Sequence, residues 1–541
     1  MAAAATSSRR WFDAERALTE RPAQTGTVRA ATKPSVTLPV TVVMEQSRDL
    51  WSERMTAALG VTVIGGGVAG LGTALALARR GHLVEVVERD HTPMPTSADE
   101  AFSWDRRGAP QVRHSHAFLG RLRGLLHDGY PDIYADLLAE GATEIRFGDD
   151  LPPEMSNYVR EPADDELVML ACRRTTFEWV VRRAALAEGR VTFRTGHAVA
   201  GLLTAPEAGV RPKVTGVRLD DGAEIESDLV VAAAGRRSVV PEWLAAVGAP
   251  RVTEEVDDTG IVYFSRFFRL REGFQYPPRS GAIGGDLGYL KYGVFVGDNR
   301  TFSITLAVPT EDTELRRMLG EAKVFDMAAS ELVATAPWLD GRAEPLTSNV
   351  YVMAGLLNRW RDYVVDGLPV AGGIVPVGDA VLCTNPLYGR GCTTAFWGAH
   401  LLADAMDHHS DDLSAMALAY DMALRAEIWP WYRSTVEQDA EARRVAAALL
   451  AGQDPDADTE DPRTFMRGVF RDGLLPAIRT DAVVMRAFLR SFNLLSSPDA
   501  MAKDPDVGAR VFAVWQDREN RAPEAPLGPT SRKDFLELLP A

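Results

Sequence analysis

The segment Val61-Thr62-Val63-Ile64-Gly65-Gly66-Gly67-Val68-Ala69-Gly70 constrains this chain more than any other. Its first four residues predict a strand, and G-x-G-x-x-G follows where that strand must turn sharply into a helix. Gly65 permits the tight turn, Gly67 lets backbone approach a pyrophosphate, and Gly70 lets the helix lie close on the strand. The helix is expected to run to Arg80, and a second strand follows from Leu83 to Glu88. The run from Gly60 to Ala78 carries no charge and is long enough to suggest a membrane span. Its glycines fall where a strand-turn-helix needs them, so it reads as buried, and no transmembrane segment is predicted.

Glu88 ends the second strand, where a carboxylate accepts hydrogen bonds from both hydroxyls of a ribose. A 2′-phosphate is disfavoured beside it, which leaves FAD or NAD. A second site decides between them. Ile374-Val375-Pro376-Val377-Gly378-Asp379-Ala380 is a short apolar strand ending in Gly-Asp, and Asn385-Pro386-Leu387-Tyr388-Gly389-Arg390-Gly391 leads into a helix. Gly389 and Gly391 let backbone approach a ligand at that helix start, and Asp379 is placed to accept from ribityl hydroxyls. NAD needs no such second site, so the pair predicts FAD.

Gly378, Asp379, Ala380, Pro386, Gly389 and Gly391 match the G-D-A, P-x-x-G-x-G fingerprint of another group of proteins. In this the chain resembles the para-hydroxybenzoate-hydroxylase-type (group A) FAD monooxygenases. The resemblance implies that Asp379 contacts the ribityl chain and that Pro386 and the glycines lie beside the isoalloxazine ring. Val231 to Leu244 resembles the third motif of that family: Gly235, Arg236 and Ser238 match, but Ala234 replaces the aspartate, which bears on NADPH handling. Arg174-Thr175-Thr176-Phe177-Glu178 resembles its helix start, where an arginine approaches the cofactor, with Arg173 as the alternative. A competing reading makes this an exposed helix with Glu178 and Arg182 paired at i,i+4.

Gly108-Ala109-Pro110-Gln111-Val112-Arg113-His114-Ser115-His116 is similar to the G-x-P-Q-x-R-H-x-H segment of flavin epoxidases of polyether antibiotic biosynthesis. That branch implies cofactor roles for Arg113 and His114. His114 and His116 lack a third metal ligand at suitable spacing, so no metal is predicted. The resemblance spans residues 60 to 420 or so.

The implied fold class is α/β, with an FAD-binding Rossmann-like domain, an inserted antiparallel β-sheet substrate domain and a C-terminal helical region. Expected boundaries are 58–250 and 346–415 for the two parts of the FAD domain, 251–345 for the sheet domain, 416–518 for the helices and 519–541 for a tail rich in proline and charge. Ile261 to Leu270 and Tyr292 to Val308 predict antiparallel strands, with a hairpin turn at Asp298-Asn299. The implied activity is that of an FAD-dependent monooxygenase, an epoxidase or hydroxylase, acting through a flavin C4a-hydroperoxide on a hydrophobic small molecule with dioxygen. No second G-x-G-x-x-G opens a helix; Gly281-Ala282-Ile283-Gly284-Gly285 sits in predicted β-sheet. NADH or NADPH therefore binds transiently, or a separate flavin reductase supplies electrons. The alternative is an FAD-dependent reductase or dehydrogenase of the geranylgeranyl-reductase type, which shares the second fingerprint. Trp429-Pro430-Trp431 is superficially similar to the halogenase W-x-W-x-I-P, but Tyr432-Arg433 follows, and no lysine lies between Lys33 and Lys213 where the halogenase lysine belongs. Because the cofactor carries the difficult chemistry, no catalytic residue is assigned.

The net charge of −16 over 541 residues would repel a phosphate backbone and argues against nucleic acid. Cys172, Cys383 and Cys392 form no C-x-x-C pair, so neither a disulfide framework nor a zinc site is expected, and a cytoplasmic setting fits. Residues 1–57 read as a disordered extension with Met44 or Met55 as alternative starts. Arg9, Arg10, Arg16 and Arg29 suggest a presequence that Asp13, Glu15 and Glu20 oppose.

Overall fold

The structure is a computed structural model that describes residues 58–155, 157–205, 211–278, 283–409, 411–522 and 526–540. The expected extension at 1–57 lies outside the described residues, as do Gly281 and Ala282.

β1 (Gly60–Ile64) passes through the glycine turn into α1 (Val68–Ala78), and β2 (Leu83–Glu88) returns parallel to β1. The chain then forms a hairpin, β3 (Thr143–Arg146) with β4 (Val168–Ala171), followed by α2 (Arg174–Ala187), β5 (Val191–Thr195) and β6 (Leu229–Ala232). Three long strands come next: β7 (Ile261–Leu270), β8 (Lys291–Val296) and β9 (Thr301–Pro309). β10 (Ile374–Pro376) returns to the first sheet, and the helices α3 (Gly391–His409), α4 (Leu413–Glu427), α5 (Trp429–Leu450) and α6 (Ala482–Phe492) follow.

The parallel sheet has the order β10-β6-β1-β2-β5, so strands far apart in sequence close the two halves of one domain. Helices cover one face, the antiparallel strands Val199–Ala205, Lys213–Leu219 and Glu224–Glu226 cover the other, and its strands are accordingly apolar: Val63, Val86, Val230 and Val231 are fully buried. α1 and α3 pack so closely that a Cβ on Gly72 would lie 3.2 Å from the Phe396 ring. The antiparallel sheet is inserted between β6 and β10, as expected, and β9 pairs with both β7 and β8. Its turn falls one residue later than expected: Asn299 and Arg300 are central, at φ of 51° and 62°, and Thr301 N donates to the Asp298 carbonyl at 3.0 Å, the conformation that a tight hairpin requires. Trp429 packs edge-on against Trp360 at 4.7 Å, and Trp431 is buried, so this aromatic group serves helix packing.

The last segment folds back on the antiparallel sheet. Tyr289 and Tyr292 donate hydrogen bonds to the carbonyls of Pro529 (2.7 Å) and Leu527 (2.6 Å), and Phe535 is fully buried. Leu527, Phe535 and Leu539 are too widely spaced to give a periodic signal, so a stretch rich in proline and charge conceals a packed end. Among the described residues no helix is long and apolar enough to cross a membrane.

Gly70 is the tightest point of the fold, since a Cβ there would lie 1.8 Å from the Gly65 carbonyl oxygen. Gly70→Ala must push α1 off β1 and should cost about 3 kcal/mol or more, the upper end of overpacking effects. The midpoint of urea unfolding reads the loss, and an unchanged midpoint would contradict this geometry.

Candidate cofactor and active site

One cavity of about 890 Å³ runs from the glycine turn to the loop at 386–391. Of the residues that sequence assigned to the site, Gly65, Gly67, Glu88, His114, Arg174, Asp379, Pro386, Gly389 and Gly391 line it. Gly70 and Gly378 do not; they permit close packing instead, and a Cβ on Gly378 would lie 2.6 Å from that of Ala69. Arg113 is turned away, its guanidinium donating to the carbonyls of Phe102 and Trp104. The carbonyl oxygens compete successfully for its donors, so the geometry gives it no contact with the cavity.

The cradle suits a dinucleotide. A Cβ on Gly67 or Gly391 would meet nothing within 4 Å, so each leaves open space where a ligand can approach backbone. No side chain caps α1, whose first N–H groups face that opening. Glu88 is buried; its Oε2 accepts from Gly66 N (3.1 Å) and its Oε1 from Asp90 N (3.0 Å), leaving acceptor capacity for a ribose hydroxyl.

Behind this end lies a buried ionic chain that sequence did not reveal. Arg106 pairs with Asp90 at 3.0 Å, with Glu88 at 3.2 Å and with Glu178 at 2.8 Å, and also donates to the Gly66 carbonyl. Glu178 pairs in turn with Arg174 at 3.0 Å, and Arg174 donates to Cys392 Sγ. Against the competing reading, Glu178 and Arg182 do not pair and the helix is not exposed: Glu178 faces Arg106 and Arg174, while Arg182 is buried over the Trp104 and Phe193 rings. Nε and Nη1 of Arg182 have no partner among the described residues.

At the other end Asp379 faces the cavity. Burial raises its pKa above the ordinary carboxylate value against the pull of Arg174, Arg236 and Arg361, and among the described residues no hydrogen bond holds its oxygens down. The loop beside it is clamped from behind. Asp439, on α5, accepts from Asn358 Nδ2 (2.7 Å), Asn385 Nδ2 (2.9 Å) and Tyr388 OH (3.0 Å). Asn358 Oδ1 accepts from Asn385 N at 2.7 Å, and Tyr263 on β7 donates to Asn385 Oδ1. Helix, inserted sheet and loop therefore meet at one buried carboxylate, whose pKa burial also raises.

A row of hydroxyls forms part of the wall. Ser115 Oγ lies 2.7 Å from both Ser303 and Thr305, Thr305 lies 2.9 Å from Ser265, and Ser265 lies 3.2 Å from His114 Nδ1. Ser265 and Thr305 face each other across β7 and β9, and Ser303 shares Thr305's face two residues away. His114 has its pKa lowered to about 4 by burial and Arg236, and His116 to about 3 by burial and Arg174. Arg174 Nη1 sits 3.4 Å from His116 Nε2 and only donates, so His116 carries its proton on Nδ1, 2.9 Å from the His114 carbonyl. Both imidazoles are neutral near neutral pH.

Comparison with known proteins bears on the fold and the cofactor class. The family described as FAD dependent oxidoreductase matches residues 60–147. Protein Rv3254 of Mycobacterium tuberculosis is 29% identical over 500 residues, covering 85% of this chain and 96% of its own. Among solved structures, the flavin-dependent brominase Bmp2 superposes with a TM-score of 0.54 at 14% identity, covering 86% of this chain and 100% of its own. PqsL of Pseudomonas aeruginosa gives 0.50 at 18%, covering 76% and 99%, and the anhydrotetracycline hydroxylase OxyS of Streptomyces rimosus gives 0.50 at 19%, covering 81% and 76%. At these identities the structures show a shared fold. The chain is an FAD-dependent oxidoreductase.

Two measurements test the seats. Glu88→Gln removes the charge from an acceptor worth about 1.5 to 3 kcal/mol, so FAD retention should weaken by about one to two orders of magnitude, read by equilibrium dialysis. An ionised Asp379 is the better acceptor for ribityl hydroxyls, and its pKa is raised, so retention should fall as pH drops through that raised value. Asp379→Asn should bind weakly at every pH and lose that part of the dependence; any slope that remains reports Asp439. Identical pH profiles for the two proteins would contradict the role of Asp379.

Proposed function

We propose that this FAD-dependent oxidoreductase is a monooxygenase that places one atom of dioxygen into a hydrophobic small molecule, by hydroxylation or epoxidation. The cavity supports the reading best, because one continuous space joins both seats of the dinucleotide to a region lined by apolar side chains. FAD, when bound, supplies the redox and oxygen chemistry, with NADH or NADPH, or a separate flavin reductase, as the source of electrons.

The chain's own residues bind, orient and exclude water. Glu88 and the first turn of α1 hold the nucleotide end, and Asp379 with the clamped Asn385–Gly391 loop fixes the ring end. Tyr263, Tyr292, Val294 and Ala307 present the sheet face to that loop. Since the flavin supplies the reactive chemistry, positioning by the lining carries much of the rate enhancement. His114 and His116 add no charge there. The lysine in the lining, Lys291, is ion-paired with Asp286 and is not a free ammunition of positive charge for the cavity. The resemblance of Gly108 to His116 to the epoxidase segment favours an alkene substrate, with Ser115 and His116 in the wall beside it.

Purified protein should be yellow, and acid precipitation should release FAD into the supernatant. Release of FMN, or a colourless protein that FAD does not reconstitute, would contradict the cofactor. With a panel of lipids and polyketides and isotopically labelled dioxygen, one labelled oxygen atom should enter product. Product formed without oxygen would overturn the monooxygenase and favour the reductase or dehydrogenase reading.

A further inference from the structure

We infer that the apolar body of the substrate occupies a chamber between the β3–β4 hairpin and helix α6, beside the flavin loop and away from the inserted sheet. The inference rests on the monooxygenase reading and names where its substrate lies and what kind it is. Ile145, Phe147 and Met169 line the cavity from the hairpin, and Met485, Leu489 and Phe492 line it from α6. The last three stand at i, i+4 and i+7, one stripe of a helix. In a core such a stripe is covered by protein. Here each of the three keeps exposed surface, and Phe492 is 38% exposed, so the stripe faces space that protein does not fill.

The hairpin and the helix are held beside the ring end by direct contacts. A Cβ on Gly389, in the flavin loop, would lie 3.1 Å from Ala117 Cβ. The next residue, Phe118, accepts through its carbonyl from Leu170 N on β4 at 3.0 Å. Gly120 N donates to Asn493 Oδ1, just beyond α6, at 2.7 Å. One short segment, 117–120, thus touches the flavin loop, the hairpin and the end of α6. The chamber is a neighbour of the ring.

Chemistry selects the occupant. Asn493 lines the cavity at the end of α6, but its amide is engaged on both sides, by Gly120 N and by the Leu489 carbonyl. Arg486 points instead at Asp164 (2.7 Å) and closes the loop between the hairpin strands onto α6. Arg146, paired with Glu144, and Asp150 also line the cavity from the segment around the hairpin, but the rest of what the hairpin and α6 bring is chiefly aliphatic, thioether and aromatic, which suits an extended or polycyclic hydrocarbon body more than a phosphate or a sugar. A reactive carbon then reaches the flavin loop while the rest of the molecule stays between hairpin and helix.

The neutral fluorophore N-phenyl-1-naphthylamine serves as the probe on flavin-loaded protein. It should bind once per chain, and its emission, which overlaps flavin absorption, should be transferred to the flavin. Leu489→Trp and, separately, Met169→Trp fill the chamber from opposite walls; each should weaken probe binding at least about tenfold with flavin content unchanged. Because neither residue lies in the cofactor seats, a variant that loses flavin is replaced by the other, and the transfer measurement needs no variant. Wild-type protein with full flavin that binds no probe, probe bound without transfer, or flavin-loaded variants that bind it as wild type would each overturn the chamber. Probe binding as expected with no oxygen-dependent product would instead count against the monooxygenase reading alone.

Discussion

The buried chain of charge from Asp90 through Arg106 and Glu178 to Arg174 is the constraint on which the site depends. Arg106 and Glu178 are removed from water almost completely, with side chains 2% and 0% exposed. Such charges survive only if each is paired and hydrogen-bonded, and taking away one partner from a buried cluster costs about 3 to 5 kcal/mol. The pairing also does geometric work. Arg106 grips Glu88 and the Gly66 carbonyl at the nucleotide end, and Glu178 passes the constraint to Arg174, which sits against Cys392 at the start of α3. A displacement of the glycine turn would break pairs on α2, and a displacement of α2 would disturb the first turn of α3. The two ends of the cavity are therefore held at a fixed separation by the protein's own ion pairs.

What was legible in the sequence is local. The glycine turn, Glu88 at a strand end and the Gly378-Asp379 turn each depend on residues a few positions apart, and the structure brings most of them to one cavity. Arg106 and Asp439 were not legible, because their partners lie far along the chain and nothing in a neighbouring residue marks them. Arg113 shows the opposite error: a motif placed it near the cofactor, but its donors found the carbonyls of Phe102 and Trp104 first. The competing i,i+4 reading named the wrong partner for Glu178: it pairs with Arg174, four residues before it, and its other oxygen goes to Arg106, which leaves none for Arg182.

Periodicity is equally blind to what a stripe covers. Met485, Leu489 and Phe492 read as the inner face of a packed helix, and only the structure shows that face meeting a cavity. The converse holds for the last segment, where Leu527 and Phe535 lack any period yet pack on the antiparallel sheet. The hydroxyl row is intermediate. Ser303 and Thr305 alternate on one strand, which signals a shared face, but Ser265 joins them only through the register of β7 against β9.

The two ends of the cavity are held with different strength, and that difference has a consequence for access. Around the cofactor seats the ion pairs are buried and the loop is clamped on Asp439. Around α6 the attachments are mixed: Arg490–Glu166 has side chains 34% and 60% exposed, and Arg479–Glu154, just before the helix, has 43% and 50%, whereas Arg486–Asp164 is largely buried at 12% and 2%. Exposed pairs contribute at most about 1 kcal/mol each and are screened by salt. Local opening costs least where buried contacts are fewest. Movement of α6 away from the hairpin would have to break Arg486–Asp164 and the Gly120–Asn493 hydrogen bond, a smaller set of buried contacts than the pairs around Arg106, Glu178 and Asp439 at the other end of the cavity. Under the proposed function, a hydrophobic substrate that enters at this end leaves the buried pairs at the other end undisturbed.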